Sequence, residues 1–459
     1  MNESDTKTAN NPLGTEPVGR LLWEFSIPSI IALLVSSFYN IVDQFFIGRN
    51  VGELGNAATN IAFPLTITCS AISLFFGMGG AAAFNLAMGK GEKDKAVGYL
   101  GNAAAMLFLC GAVLCIITVL FLEPMLKFFG SPDEVLEYAK TYTGIVAIGF
   151  PFLALTGGGG HLIRADGRPR ASMFCNLSGA IINIFLDALF VSVLHYGMAG
   201  AAAATIIGQV ISGSLAIRFL ADCKTVKLKK ENLILKKEYI GRVASLGAAP
   251  CVNQIAMLVV QISMNNSLKY YGGLSVYGSA IPIACVGIIT KVNQIFLALT
   301  VGISQSMQPI TSFNYGAEKY DRVRSAYTRT LISSLILGIC AFLAFQLFPR
   351  QIIALFGNGS EEYFNFAVRY FRVFLFFAFV NFMPGQVSSF FTSIGKPKKG
   401  MFVSLTRQVI FFLPLLLVLP LFMGIDGIMY VGPIADLIAV VVSFVMVTLE
   451  FHNSRYRTA

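Results

Sequence analysis

The sequence predicts an all-α polytopic membrane protein: twelve transmembrane helices in two pseudo-symmetric six-helix lobes. Apolarity, the number of apolar segments and internal repetition carry this expectation. Of 459 residues, 55% are hydrophobic and only 13% charged, with a mean hydropathy of +0.70. Soluble domains carry about 25% charged residues. Apolar stretches of about 20 residues, each long enough to cross a ~30 Å hydrocarbon core, fall at residues 21–47, 56–87, 96–121, 135–156, 171–193, 197–220, 239–268, 279–310, 326–348, 364–391, 401–422 and 428–449.

Residues 1–18 are polar and lead straight into a full-length span, the pattern of a cytoplasmic tail rather than a cleaved leader. The first lobe then occupies 19–221, a basic linker 222–238, the second lobe 239–450 and a short tail 451–459. The lobes repeat each other. Gly167-Arg-Pro169-Arg-Ala-Ser-Met173-Phe174 returns 228 residues later as Gly395-Lys-Pro397-Lys-Lys-Gly-Met401-Phe402. Phe-Phe-Gly130 matches Leu-Phe-Gly357, Gly197-Met-Ala-Gly200 matches Gly424-Ile-Asp-Gly427, and Gly91-Glu-Lys matches Ala317-Glu-Lys319. Pro28 and Pro250 form a further pair, one in the first span of each half. An even number of spans per repeat makes the halves parallel, an arrangement common in secondary transporters.

The net charge of +10 is confined mostly to connections on one side of the membrane, with only Arg49, Lys127, Lys269 and Arg350 in those of the other. By the positive-inside rule both termini are cytoplasmic, and nucleic acid is not an expected partner. The eight cysteines are scattered mainly through the spans without ligand spacing and read as apolar filler. No phosphate-loop motif occurs; the Gly157 to Gly160 run reads as flexible backbone at the end of the fourth span. Transport driven by an ion gradient is therefore expected, and no organic cofactor.

Asp43, Asp187 and Asp436 are the acids well inside spans, where a charge costs roughly 2.5 to 3.5 kcal/mol and must face protein or a wet cavity. Asn176, Asn183 and Asp187 share one helix face; Ser36, Asn40 and Asp43 form a second polar stripe, and Thr205, Gln209 and Ser212 a third. At ~1.5 Å per residue, Asp43, Asp187 and Thr205 lie about 6, 9 and 12 Å from the outer ends of their spans. They can converge. Two carboxylates in a poorly solvated place need a proton or a cation between them, and Asn183 and Thr205 add hard oxygen ligands. Singly, each acid also fits an ion pair, and Asn183 or Thr205 an ordinary interhelical hydrogen bond.

Several segments resemble signatures of the multidrug and toxic compound extrusion (MATE) family, with most similarity to its MepA-like bacterial branch. They are Val42-Asp43-Gln-Phe-Phe-Ile-Gly48, Arg164-Ala-Asp-Gly167-Arg-Pro169, Asn183-Ile-Phe-Leu-Asp187 and Gln308-Pro-Ile-Thr-Ser-Phe-Asn314-Tyr-Gly316. The resemblance implies two lobes around a V-shaped cleft that opens alternately to each side of a bacterial cell membrane. It implies export of cationic or amphipathic organic compounds by antiport with sodium or protons. No enzyme is expected, because the spans carry no His-Glu-x-x-His, Ser-His or metal cluster, and a monomer is expected, because the fold needs no second copy to form a cleft. The resemblance also implies a first-lobe cation or proton site at Asp43, Asn183, Asp187 and Thr205, able to hold Na+, whose occupancy rearranges the first helix near Pro28. A second-lobe cation site is not expected, because the seventh span carries Gln254, Gln261 and Asn265 but no acid.

Asn40, Gln44, Gln209, Gln254, Gln261, Lys291, Arg407 and Asp436 are the candidates for the substrate cleft. Asp436 reads as a structural partner for Lys291 or Arg407; otherwise Lys291 meets substrate, favouring a polar or anionic compound. Two rivals remain open: a lipid-linked oligosaccharide flippase of related architecture, which would want a basic cavity, and an exporter of one specific metabolite. The identity of the exported compound, and the choice between sodium and proton, stay open at this level.

Overall fold

The computed structural model describes residues 11–278, 280–354, 361–452 and 456. The Gly357 repeat element and most of the tail at 451–459 lie outside the described residues. Among those described there are helices and turns but no strand, as the bilayer requires when every backbone polar group must be satisfied within its own segment.

After a helical turn at Pro12–Thr15, the spans run as α1 Val18–Asn50, α2 Leu54–Gly89, α3 Lys93–Leu120, α4 Asp133–Ala147 continued by Phe150–Ala165, α5 Pro169–Val193 and α6 Gly197–Ala221. The second half repeats this with α7 Lys237–Gly273, α8 Ala280–Gly316, α9 Tyr320–Leu347, α10 Glu361–Phe374 continued by Met383–Ser393, α11 Pro397–Met423 and α12 Ile425–Phe451. The chain thus forms the expected twelve-helix, two-lobe fold. Among the described residues ten spans are single helices and α4 is bent by 57°, where Pro151 lacks the N–H that would continue the ladder. Between the two parts of α10, residues 375–382 are turns.

Backbone geometry repeats along with the sequence. Gly167 and Gly395 have φ of +81° and +77°, and Gly197 and Gly424 +57° and +59°, a left-handed region that glycine enters without a Cβ penalty. The counterpart of Gly91 (φ +81°) is Glu318 (φ +58°) rather than Ala317, so the loop registers shift by one residue relative to the sequence match.

The Gly157 to Gly160 run is not loose backbone at a span end. It lies within the helical second part of α4, and Gly158 backs directly onto Gly77 of α2. Small residues let the two backbones approach, the usual device for packing helices in lipid. The α2 segment involved, Ser73–Met78, is a π-helical stretch.

Packing between the lobes is one-sided. The face of the bundle that carries both chain ends has a single apolar core joining Leu21, Phe84 and Leu162 of the first lobe to Leu246, Phe313 and Phe390 of the second. Towards the opposite face this core divides, one cluster belonging to α7–α12 and two to the first lobe. Helix α8 records the divergence. A Cβ on Gly302 would lie 2.7 Å from Ile30 of α1, whereas Gly287, nearer the open face, has nothing within 4 Å. The closed face is also latched by polar contacts. Asn314 donates to the Leu13 carbonyl at 2.8 Å, Arg322 to those of Leu13 and Glu16 at 3.0 and 2.6 Å, and Gln308 to Met78 at 3.0 Å.

Candidate functional site

Helices α1, α5 and α6 pack on one another inside the first lobe and bring Asp43, Asn183, Asp187 and Thr205 together. All four are buried, with Asp187 wholly so at 0% exposure. The Asp43 and Asp187 carboxyls are direct neighbours. With its carboxamide turned to match donors to acceptors, Asn183 donates to Asp187 Oδ2 at 3.2 Å and accepts from the Thr205 backbone N–H at 3.2 Å. One oxygen of each carboxyl, Asp43 Oδ1 and Asp187 Oδ1, is buried without a partner. Among the described residues no Lys, Arg or His pairs with either acid; the buried carboxylates paired elsewhere are Asp166, Asp436 and Glu450. Two touching carboxyls with orphaned oxygens and no basic partner make a place for one positive charge.

The chain gives this place its shape. Asp187 is the last residue of the α-helical part of α5, and Ala188–Val193 continues as π-helix, a widening often found at functional sites. Gly179 and Gly208 let α5 and α6 approach backbone to backbone, with the Gly179 oxygen 2.8 Å from where a Gly208 Cβ would stand. Beside the acids lies a cavity of about 90 Å³ lined by Ser36, Tyr39, Thr156, Asn176, Asn183 and Gln209, among others. Its size and polar lining suit ordered water. Its oxygens and the acids' own fit a hard cation, with Asp43, Asp187, Asn183 and Thr205 the residues that would hold it.

Two tyrosines at the site escaped the sequence reading. Tyr39 lines the cavity, and Tyr142 hydrogen bonds Thr205. The signal for Tyr39 was present, since it lies four residues before Asp43, but the amide of Asn40 drew attention instead. Asn40 in fact donates to the Ser36 carbonyl at 2.7 Å and is exposed. Tyr142 is marked in the sequence only by the repeat match of Ala139-Lys-Thr-Tyr142 with Ala367-Val-Arg-Tyr370, which gives it no role at the site.

The remaining candidates separate. Gln209 belongs to the first-lobe cavity, with its Oε1 buried and unpartnered. Gln44 on α1 and Gln261 on α7 are exposed, and Gln254 is half-buried. Arg407, in the π-helical stretch Thr406–Phe412 of α11, bonds Asp436 of α12 at 2.5 Å. Lys291 is exposed on α8 and has no carboxylate within ion-pair distance among the described residues.

The Arg407–Asp436 pair makes a stability prediction. Arg407→Met leaves the buried Asp436 carboxylate uncompensated and is expected to cost about 3 to 5 kcal/mol, whereas Arg407→Met with Asp436→Leu is near neutral. Thermal unfolding in detergent, followed by a thiol-reactive dye on buried Cys69, Cys175 and Cys285, checks this; equal melting of the single and double variants would refute the pairing.

The chain is similar to known transporters along almost its whole length. It is 24% identical over 445 residues to the FAD transporter of Shewanella oneidensis, covering 92% of each chain. It is 23% identical over 343 residues to the multidrug export protein MepA of Staphylococcus haemolyticus, covering 74% of each. Its fold superposes with a TM-score of 0.88 on an outward-facing multidrug resistance MATE family transporter of the MOP superfamily, at 18% identity and covering 98% of each chain. The MatE family model matches it twice, at residues 28–189 and 246–418, one match per repeat. The chain belongs to the MatE family, whose members are transporters and not enzymes.

Proposed function

We propose that this protein is a secondary active exporter of organic, amphipathic compounds in a bacterial cell membrane. In this reading it exchanges substrate for sodium ions or protons bound in the first lobe, by alternating access. The observation that carries the reading is the buried Asp43–Asp187 pair with orphaned oxygens and, among the described residues, no basic partner. A site that needs one positive charge, placed beside a wet cavity, is what ion coupling requires.

The lobes are closed at the face bearing the termini and apart at the other. The basic connections support cytoplasmic termini, and in this reading the present conformation is outward-facing. Substrate occupies the cleft between the lobes, and the ion occupies the first lobe. Binding of the ion biases the equilibrium between lobe arrangements only as far as its affinity for the two differs. Asp43 on α1 is the link, because α1 also carries Ile30, packed on α8 at the closed seam. A single chain contains both lobes, so this cycle needs no second copy.

A second reading, export of one specific metabolite, is favoured by two observations: Lys291 has no carboxylate partner among the described residues, and a relative covering nearly the whole chain is named for FAD, a phosphate-bearing compound. Ethidium efflux from proteoliposomes, driven by an imposed sodium or proton gradient, tests the exporter reading. Efflux with one gradient and not the other names the ion. Failure with both refutes multidrug antiport and leaves the specific-metabolite reading standing.

A further inference from the structure

Lys291 lies eleven residues from the start of α8 at Ala280, about 16 Å along the axis, and so at mid-depth in the bilayer. An exposed ammonium at that depth is stable only in water or against a ligand. Helical phase gives its direction. Lys291 and Gly302 are eleven residues apart, about three turns and within roughly 20° of the same face, and Gly302 packs on Ile30 of α1. Lys291 therefore looks across the cleft at α1.

The two helices run antiparallel, so the α1 residues facing it are found by counting eleven onward from Ile30: Ile41, flanked by Asn40 and Gln44, all exposed. Gly287, one turn beyond Lys291, meets nothing within 4 Å, so the lobes have parted by this depth and a ligand has room. The other acids buried well inside the spans have partners of their own. Asp436 holds Arg407, and Asp43 is turned into the first lobe beside Asp187.

We propose that Lys291 is the charge-recognising residue of the substrate cleft. It binds a carboxylate or phosphate of an amphipathic organic anion, whose polar body is met by Asn40 and Gln44 across the gap. This rests on the exporter reading in naming the substrate class, yet binding can be measured without transport. A desolvated ammonium pairs strongly with an oxyanion and repels a cation.

The test is equilibrium binding of carboxyfluorescein, an organic anion, and ethidium, an organic cation, to the full chain in phosphatidylcholine nanodiscs. Lys291→Gln is expected to weaken carboxyfluorescein binding at least tenfold while leaving ethidium unchanged or tighter. Lys291→Arg should keep the anion, and Lys291→Glu should reverse the preference. No binding of the anion by the unaltered protein, or equal binding by Lys291→Gln, overturns the proposal. Gradient-driven efflux run alongside separates the two readings: Lys291-dependent binding without efflux removes the antiporter and keeps this site, while ethidium efflux indifferent to Lys291 with no anion binding does the reverse.

Discussion

Asp187→Asn is expected to abolish gradient-driven efflux, lowering the initial rate at least a hundredfold, while the protein still inserts and folds. The residue is wholly buried, touches Asp43, and has one oxygen without a partner. Its charge therefore does nothing for packing that a carboxamide cannot do. What the amide cannot do is take up a proton or supply the negative charge that draws an alkali cation. Asp43→Asn should fail in the same way, and the double variant should be no worse than either single one, since groups that act as a unit lose their function together. Stability moves the other way: removing one of two apposed carboxyls relieves a buried electrostatic cost, so both single variants should melt at or above the temperature of the unaltered protein. Proteoliposome efflux with thermal unfolding on the same preparations checks both halves. Undiminished efflux in Asp43→Asn and Asp187→Asn would remove the site; loss of efflux accompanied by early melting would make the pair structural.

What was legible in the sequence follows from what a bilayer enforces. A span must bury about 30 Å of backbone, so the twelve apolar stretches and their repeat stood out, and counting residues inward from the span ends was enough to bring Asp43, Asp187 and Thr205 into the same half of the membrane. The interruption of α10 was hidden, because residues 375–382 are as apolar as a helix and Pro384 comes only after the break. The glycine run of α4 was misread for a related reason. In water four glycines loosen a chain, but in lipid the backbone must keep its hydrogen bonds, and their small size serves close packing instead. Periodicity alone chose Asn40 over Tyr39, because both lie within about 60° of Ser36 on α1 and only the packing of α5 decides which side is interior. Tyr142 and the seam between lobes depend on contacts between residues distant in the chain, for which one sequence carries no signal.

That seam supplies the second large effect. Gly247 of α7 stands where any Cβ would overlap the Phe75 carbonyl oxygen of α2 and lie 2.8 Å from the Phe75 Cα. Backbone cannot swing aside as a side-chain tip can, so Gly247→Val must separate α2 from α7 at the closed face. Overpacking of this kind costs about 1 to 3 kcal/mol, enough to change the ratio of two lobe arrangements by roughly 5- to 150-fold. The penalty falls only on the arrangement with the seam closed, so the population shifts towards the one in which it is open, and export slows more than tenfold because the cycle must pass through both. Spin labels at exposed Lys95 and Arg324, one on each lobe near that face, should report a longer distance in Gly247→Val than in the unaltered protein. Gly241→Ala, six residues away on the same helix with nothing within 4 Å of its Cβ, should leave distance and transport unchanged. A Gly247→Val protein with the original distance and full export would mean that the α2–α7 contact is incidental to the cycle, and that the lobes separate about some other line.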